Sequence, residues 1–151
     1  MKSIGEIMSK KIETIDINAT AHDAAMKMKD KNVSSLLVVD QQSEQVNQGI
    51  LTERDLVRRV CATDEPDLNV PVKTIMSSPI AFIDPFSPVE VAADNMRHYG
   101  MRHFLVADES GKALGIITLS DLAGYLAENV NIDDVNATIL KALKDEGGYP
   151  S

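Results

Sequence analysis

GILTERD at residues 49–55 returns sixty-six positions later as GIITLSD at residues 115–121, with glycine, two aliphatics, threonine and aspartate kept in order. One such Thr-x-x-Asp has two readings. As a helix start, the threonine oxygen and the acid three residues on satisfy orphan backbone donors and suit the helix dipole. As a ligand site, the same N–H groups and hydroxyl hold a phosphate, the aspartate accepts from both hydroxyls of a ribose, and the glycine leaves room for the ligand. The two readings are compatible, so the choice falls to the surrounding chain.

That surrounding chain is duplicated as well. IMS at 7–9 recurs at 75–77, an offset of 68 that also carries Ile15-Asp16 onto Ile83-Asp84, Ala24-Ala25 onto Ala92-Ala93, Met28 onto Met96 and Leu37-Val38 onto Leu105-Val106. The offset drops to 66 between QQSEQVNQ (41–48) and ESGKAL (109–114), where a hairpin turn is expected. A true structural repeat tolerates length change there. Each copy reads as strand, helix, strand, strand, helix. IETI (12–15) and IAFI (80–83) are the first strands. The helix after the second is predicted to have Ser87 at its N-cap, Pro88 in its first turn and Glu90 three residues after the cap. Ala21, Ala24, Ala25 and Met28, like Val89, Ala92, Ala93 and Met96, recur at helical spacing and are assigned to the core. SSLLVVD and HFLVAD, each followed by a turn and GIL or GII, make hairpins. The closing helices start at Thr52 and Thr118. A further amphipathic helix is predicted over 133–145, with Val135, Ile139, Leu140 and Leu143 on one face and Gly147-Gly148 as its stop. The expected division is therefore 1–66, 67–128 and a C-terminal helix and tail over 129–151.

Composition bounds the function. In 151 residues, 44% are hydrophobic and 25% charged, which predicts a globular chain. No aliphatic run is long enough to span a bilayer, and residues 1–8 lack the apolar centre of a signal peptide, so a cytoplasmic protein is expected. The single cysteine, Cys61, is assigned to a helix as a small hydrophobe and leaves no disulfide framework. A net charge of -8 argues against duplex nucleic acid or an anionic membrane as partner, although local basic clusters could hold a small anion. His22, His98 and His103 lack the spacing of a zinc site, and no nucleophile elbow, Walker loop or Gly-rich dinucleotide fingerprint is present. No catalytic residue, metal site or catalytic cofactor is expected.

The double pattern of IMS, paired alanines, methionine, hairpin and G-h-h-T-x-x-D-L, where h is aliphatic, resembles the cystathionine beta-synthase (CBS) domain pair, or Bateman module, from residue 7 to about 126. The resemblance implies an α/β (α+β) fold. Two tandem βαββα repeats would pack sheet to sheet about a pseudo-twofold axis, with a C-terminal helix added. It further implies a sensor whose two clefts bind adenosine-containing ligands: AMP, ADP or ATP, with S-adenosylmethionine, NAD or an adenine dinucleotide as related candidates. In the first cleft Asp55 would hold ribose and Thr52 phosphate, with Ala81, Met101, Arg102 and His103 lent by the other copy and Arg54 as a further phosphate contact. In the second, Asp121, Thr118 and Ser120 would be joined by Glu13, Val33 and Ser34. Ser34-Ser35 replaces Arg102-His103, so the clefts are chemically unequal. Arg58, Arg59 and Arg97 are expected on solvated helix faces. The resemblance also implies a homodimer acting on a separate enzyme or transporter. The alternative from another class is a dimerisation scaffold without ligand dependence; nucleotide hydrolysis lacks a positioned base or metal cluster.

Overall fold

Residues 36–39 and 104–107 are apolar at every position because each forms the middle strand of a sheet covered on both faces. The computed structural model of the chain describes residues 2–129 and 132–145. Its elements, in order, are α1 (Ile4–Ile7), β1 (Thr14–Asp16), α2 (Ala21–Lys31), β2 (Ser35–Val39), β3 (Asn47–Thr52), α3 (Glu53–Leu56), β4 (Phe82–Ile83), α4 (Val89–Tyr99), β5 (His103–Ala107), β6 (Ala113–Thr118), α5 (Leu119–Asn129) and α6 (Ile132–Asp145). The helix begun by α3 widens into a π turn over Val57–Cys61. Two three-stranded sheets result, ordered β1-β2-β3 and β4-β5-β6, each with a parallel then an antiparallel pair.

The pseudo-symmetry extends to register. Ser35 pairs with Thr52 and His103 with Thr118, and both hairpins shift register just before the turn, after Val38 and after Val106. The two-residue deletion falls between the paired strands, where 40–46 in one copy answers to 108–112 in the other. Alternation along the middle strands then builds three apolar layers. Leu36 and Val38 face α2, Phe104 and Val106 face α4, and Leu37, Val39, Ile50, Leu105 and Ile116 fill the space between the sheets. The caps of α2 and the close of α4 show why these segments begin and end as they do. Thr20 and Asp23 form a reciprocal cap at 3.1 Å each way, and Asn32 and Gly100, sixty-eight apart, close α2 and α4 in the left-handed region.

The leaders of the two copies are exchanged. Ile4, fully buried, lies in the core of the second copy with Ile83, Val89 and Phe104, whereas Val72 and Ile75 complete the core of the first. The repeat in sequence and the unit of packing are therefore offset by one leader. The glycines of the repeated motif take their meaning from this exchange. A Cβ on Gly49 would stand 2.7 Å from the Ser77 carbonyl oxygen and from Met76 Sδ; one on Gly115 would stand 2.5 Å from the Ser9 oxygen and 2.7 Å from Met8 Sδ. Both glycines make room for the IMS backbone of the other copy, correcting the expectation that they make room for a ligand. Gly115→Ala should therefore destabilise the fold by about 1–3 kcal/mol through overpacking. Gly124→Ala, in open space on α5, should instead gain about 0.5–1 kcal/mol of helix propensity. Urea midpoints of the two variants test the contrast.

Four other expectations are corrected. Helix α4 has Pro88, not Ser87, at its N-cap, the position equivalent to Thr20. Ser87 is used differently, its carbonyl accepting from Ile4 N–H at 2.9 Å. Ala25 and Ala93 are exposed, because the buried stripe runs through 21, 24 and 28 and through 89, 92 and 96. Cys61 is exposed at the end of the π turn instead of packed. The first strands are shorter than expected, and Ile12 and Ile80 ahead of them pack between the sheets. On α6, Ile139, Leu140 and Leu143 are each more than two-fifths exposed. The predicted stop at Gly147-Gly148 lies outside the described residues. Among those residues no helix is long and apolar enough to cross a membrane.

Candidate functional site

Both Thr-x-x-Asp motifs are helix caps in the structure. Asp55 Oδ2 accepts from Thr52 N–H at 2.9 Å while Thr52 Oγ1 accepts from Asp55 N–H at 3.2 Å. Asp121 and Thr118 repeat this at 2.8 and 3.2 Å. The copies differ in one bond, since the Thr118 hydroxyl also donates to Asp121 Oδ2 at 3.0 Å. Capping uses one carboxylate oxygen of Asp55. The other, Oδ1, makes no hydrogen bond among the described residues and lies 3.8 Å from the Arg59 Nε, so a buried residue keeps unused acceptor capacity.

Beside Asp55 opens a cavity of about 460 Å³, within the range of small-molecule sites. It receives all seven residues assigned to the first cleft: Thr52, Arg54, Asp55, Ala81, Met101, Arg102 and His103. Of the six assigned to the second, Ser34, Thr118 and Ser120 line this same cavity, and Glu13, Val33 and Asp121 do not. Val33 packs against the first core and Asp121 caps α5. Lys11, the counterpart of the cavity residue Pro79, reaches across to the Lys31 carbonyl at 2.7 Å.

The chemistry of the cavity is cationic within an acidic protein. Four arginines, Arg54, Arg58, Arg59 and Arg102, face two carboxylates, Glu53 and Asp55. Arg59 is committed, donating to the carbonyls of Ile75 at 3.1 Å and Met76 at 2.9 Å and so tying the second IMS leader to the first copy. Its side chain is still about half exposed, 48%, as expected of a solvated face, but it is not without partners. Among the described residues Arg54, Arg58 and Arg102 make no ion pair and no hydrogen bond through their side chains. Arg58, exposed as expected, also lines the cavity; its position one turn beyond Arg54 was the available signal. Arg97 stays exposed, 4.0 Å from Asp94. His103 Nε2 lies 3.0 Å from Ser34 Oγ. Burial lowers the His103 pKa below its ordinary value against the opposing pull of Asp55, Glu53 and Asp121, with Arg102 adding to the decrease. The ring is therefore neutral near pH 7, and the positive charge of the cavity comes from arginine.

The sequence profile of the CBS domain matches residues 4–62 and again 72–128. An uncharacterised 17.7 kDa protein of Acidianus ambivalens is 34% identical over 157 residues, covering 97% of this chain and 93% of that protein. The hexameric CBS-CP12 protein from bloom-forming cyanobacteria superposes with a TM-score of 0.76 at 29% identity, covering 98% of this chain and 89% of the other. The CBS domain protein PAE2072 of Pyrobaculum aerophilum, solved in complex with AMP, superposes with a TM-score of 0.69 at 25% identity, over 79% of this chain and 88% of that one. Two profile matches in tandem, in register with two sheets of identical topology, identify the chain as a member of the CBS domain family that carries the domain twice.

Proposed function

We propose that this chain is a regulatory adenine-nucleotide-binding protein, a sensor that takes AMP, ADP or ATP, or a related adenosyl ligand, between its two CBS repeats and signals to a separate partner. One observation carries the reading: three arginines without protein partners among the described residues share a cavity with a buried aspartate, one of whose carboxylate oxygens makes no hydrogen bond and is met only by the Arg59 Nε at 3.8 Å. Arginine supplies forked, permanently charged donors suited to phosphate oxygens, and the aspartate supplies acceptors for ribose hydroxyls. The AMP bound by a structural relative supports the ligand class. Thr52, Arg54, Asp55, Ala81, Met101, Arg102 and His103 are the proposed contacts of the first cleft, and Glu13, Val33, Ser34, Thr118, Ser120 and Asp121 those of the second.

Calorimetry against AMP, ADP, ATP, NAD and S-adenosylmethionine tests the class, and a ligand that binds the native state should also raise the melting temperature. A chain that binds none of them is a scaffold, and the proposal fails. Arg102→Ala should weaken ATP or ADP by roughly tenfold or more, the loss shrinking as salt rises, and should leave adenosine nearly unchanged. Equal effects on ATP and adenosine would remove Arg102 from the phosphate site.

We further propose a homodimer. The exposed Ile139, Leu140 and Leu143 of α6 and the hexameric state of one relative support self-association. A monomer by light scattering at micromolar concentration would contradict it.

A further inference from the structure

The two clefts differ at their mouths. Pro79 and Gly100 line the open side of the first, and a Cβ on Gly100 would meet nothing within 4 Å. Sixty-eight residues earlier, on the walls of the second, stand Lys11 and Asn32. Proline has neither a backbone N–H nor a polar side chain. Lys11 has both and uses both: its N–H donates to Ser9 Oγ at 3.3 Å, and its Nζ donates to the Lys31 carbonyl at 2.7 Å. Lys31 is the last residue of α2 and Asn32 its C-cap, so the ammonium meets a carbonyl without a helical partner, at the helix end whose dipole favours a cation. A second lysine ties the same segments in the opposite sense, since Lys27 Nζ on α2 donates to the Thr14 carbonyl on β1. Its counterpart, Asn95, makes no side-chain hydrogen bond among the described residues. Glu13 and Val33 each stand two residues beyond an end of the Lys11 span, and neither lines the open cavity.

Resting on the nucleotide reading above, we infer that Lys11 is a strap across the second cleft that ranks the two sites. An adenosyl ligand enters beside Asp55 freely, and beside Asp121 only when the bond from Lys11 to the Lys31 carbonyl is broken. A ligand that needs the open form has its apparent affinity reduced by the fraction of chains in that form. The strap is an exposed, flexible lysine, so it lowers the affinity of the second cleft without sealing it. The arginines of the cavity act on phosphate charge, and adenosine, which has none, isolates the effect of the strap.

Calorimetry with adenosine on two backgrounds of the full chain tests the ranking. In Asp55→Asn only the second cleft keeps its aspartate, and adding Lys11→Ala should tighten adenosine by about fivefold or more, as when one exposed hydrogen bond ceases to compete. In Asp121→Asn only the first cleft keeps its aspartate, and the same change should leave the affinity within about twofold. Lys11→Arg, which keeps a cationic donor of similar reach, should bind as its background does in both. Lys11 is exposed, so the melting temperatures should stay close to those of the backgrounds. An equal effect on both backgrounds, no tightening in Asp55→Asn, or tightening by Lys11→Arg as great as by Lys11→Ala overturns the strap while leaving the nucleotide reading intact. Failure of the parent chain to bind adenosine and ATP alike overturns both.

Discussion

Asp55→Asn is expected to lower adenine-nucleotide affinity by about 2–4 kcal/mol, roughly 30- to 1,000-fold, with little change in melting temperature. The expectation follows from the division of labour between the two carboxylate oxygens. Oδ2 caps α3 through Thr52 N–H at 2.9 Å, and Oδ1 is left with Arg59 Nε at 3.8 Å. An asparagine oxygen can take over the cap. Its amide nitrogen then presents a donor where the ribose hydroxyls need an acceptor, and the negative charge is gone. Asp55→Ala removes both functions and should add a stability loss of about 0.5–2 kcal/mol, as for other lost caps. A role confined to capping predicts the opposite pattern, in which alanine lowers the melting temperature and neither variant alters binding. Melting and calorimetry on the same two proteins separate the cases, and Asp121→Asn repeats the comparison in the second copy.

That the motif would serve as a cap was legible from spacing alone, and the same spacing gives the aspartate a second oxygen that the cap does not need. The fold was legible for a different reason. Duplication lets each copy check the other, so that a turn is marked by its length change and a core strand by aliphatic character kept in both copies, as at Leu37-Val38 and Leu105-Val106. What sequence similarity does not carry is contact between copies. IMS reads as the start of its own repeat, yet Met8 and Ser9 lie against Gly115, and Met76 and Ser77 against Gly49. The glycines accordingly looked like space for a ligand when they are space for backbone. The contacts of Arg59 were out of reach on the same account, since its carbonyl partners, Ile75 and Met76, belong to the other leader. Ala25 and Ala93 show a smaller limit: helical period places them on the edge of the buried stripe, and only the sheet beneath decides which edge is covered. That the cavity draws on both copies was implied by the resemblance, whereas the contact between Ser34 and His103, 69 residues apart, was not legible in the sequence.

Ile4→Ala should cost about 2–5 kcal/mol, the range for a buried aliphatic truncated to alanine. Ile4 is fully buried among Ile83, Val89, Ala92, Phe104 and Ile117 of the second copy. Its segment is held there by backbone hydrogen bonds, Ile4 N–H to the Ser87 carbonyl at 2.9 Å and Gly5 N–H to the Pro85 carbonyl at 2.8 Å. Removing the side chain leaves a cavity that this tied backbone cannot readily close. The loss is a large fraction of the roughly 5–15 kcal/mol that stabilises a domain. Val72, sixty-eight residues on and equally buried in the first core, should respond in the same direction, whereas Lys2→Ala, exposed and two residues away, should stay within about 0.5 kcal/mol. Urea midpoints of the three variants decide the matter. A small effect at Ile4 with a large one at Val72 would mean that the leading segment is undocked in solution, and that the second copy, unlike the first, closes its core without a partner's leader.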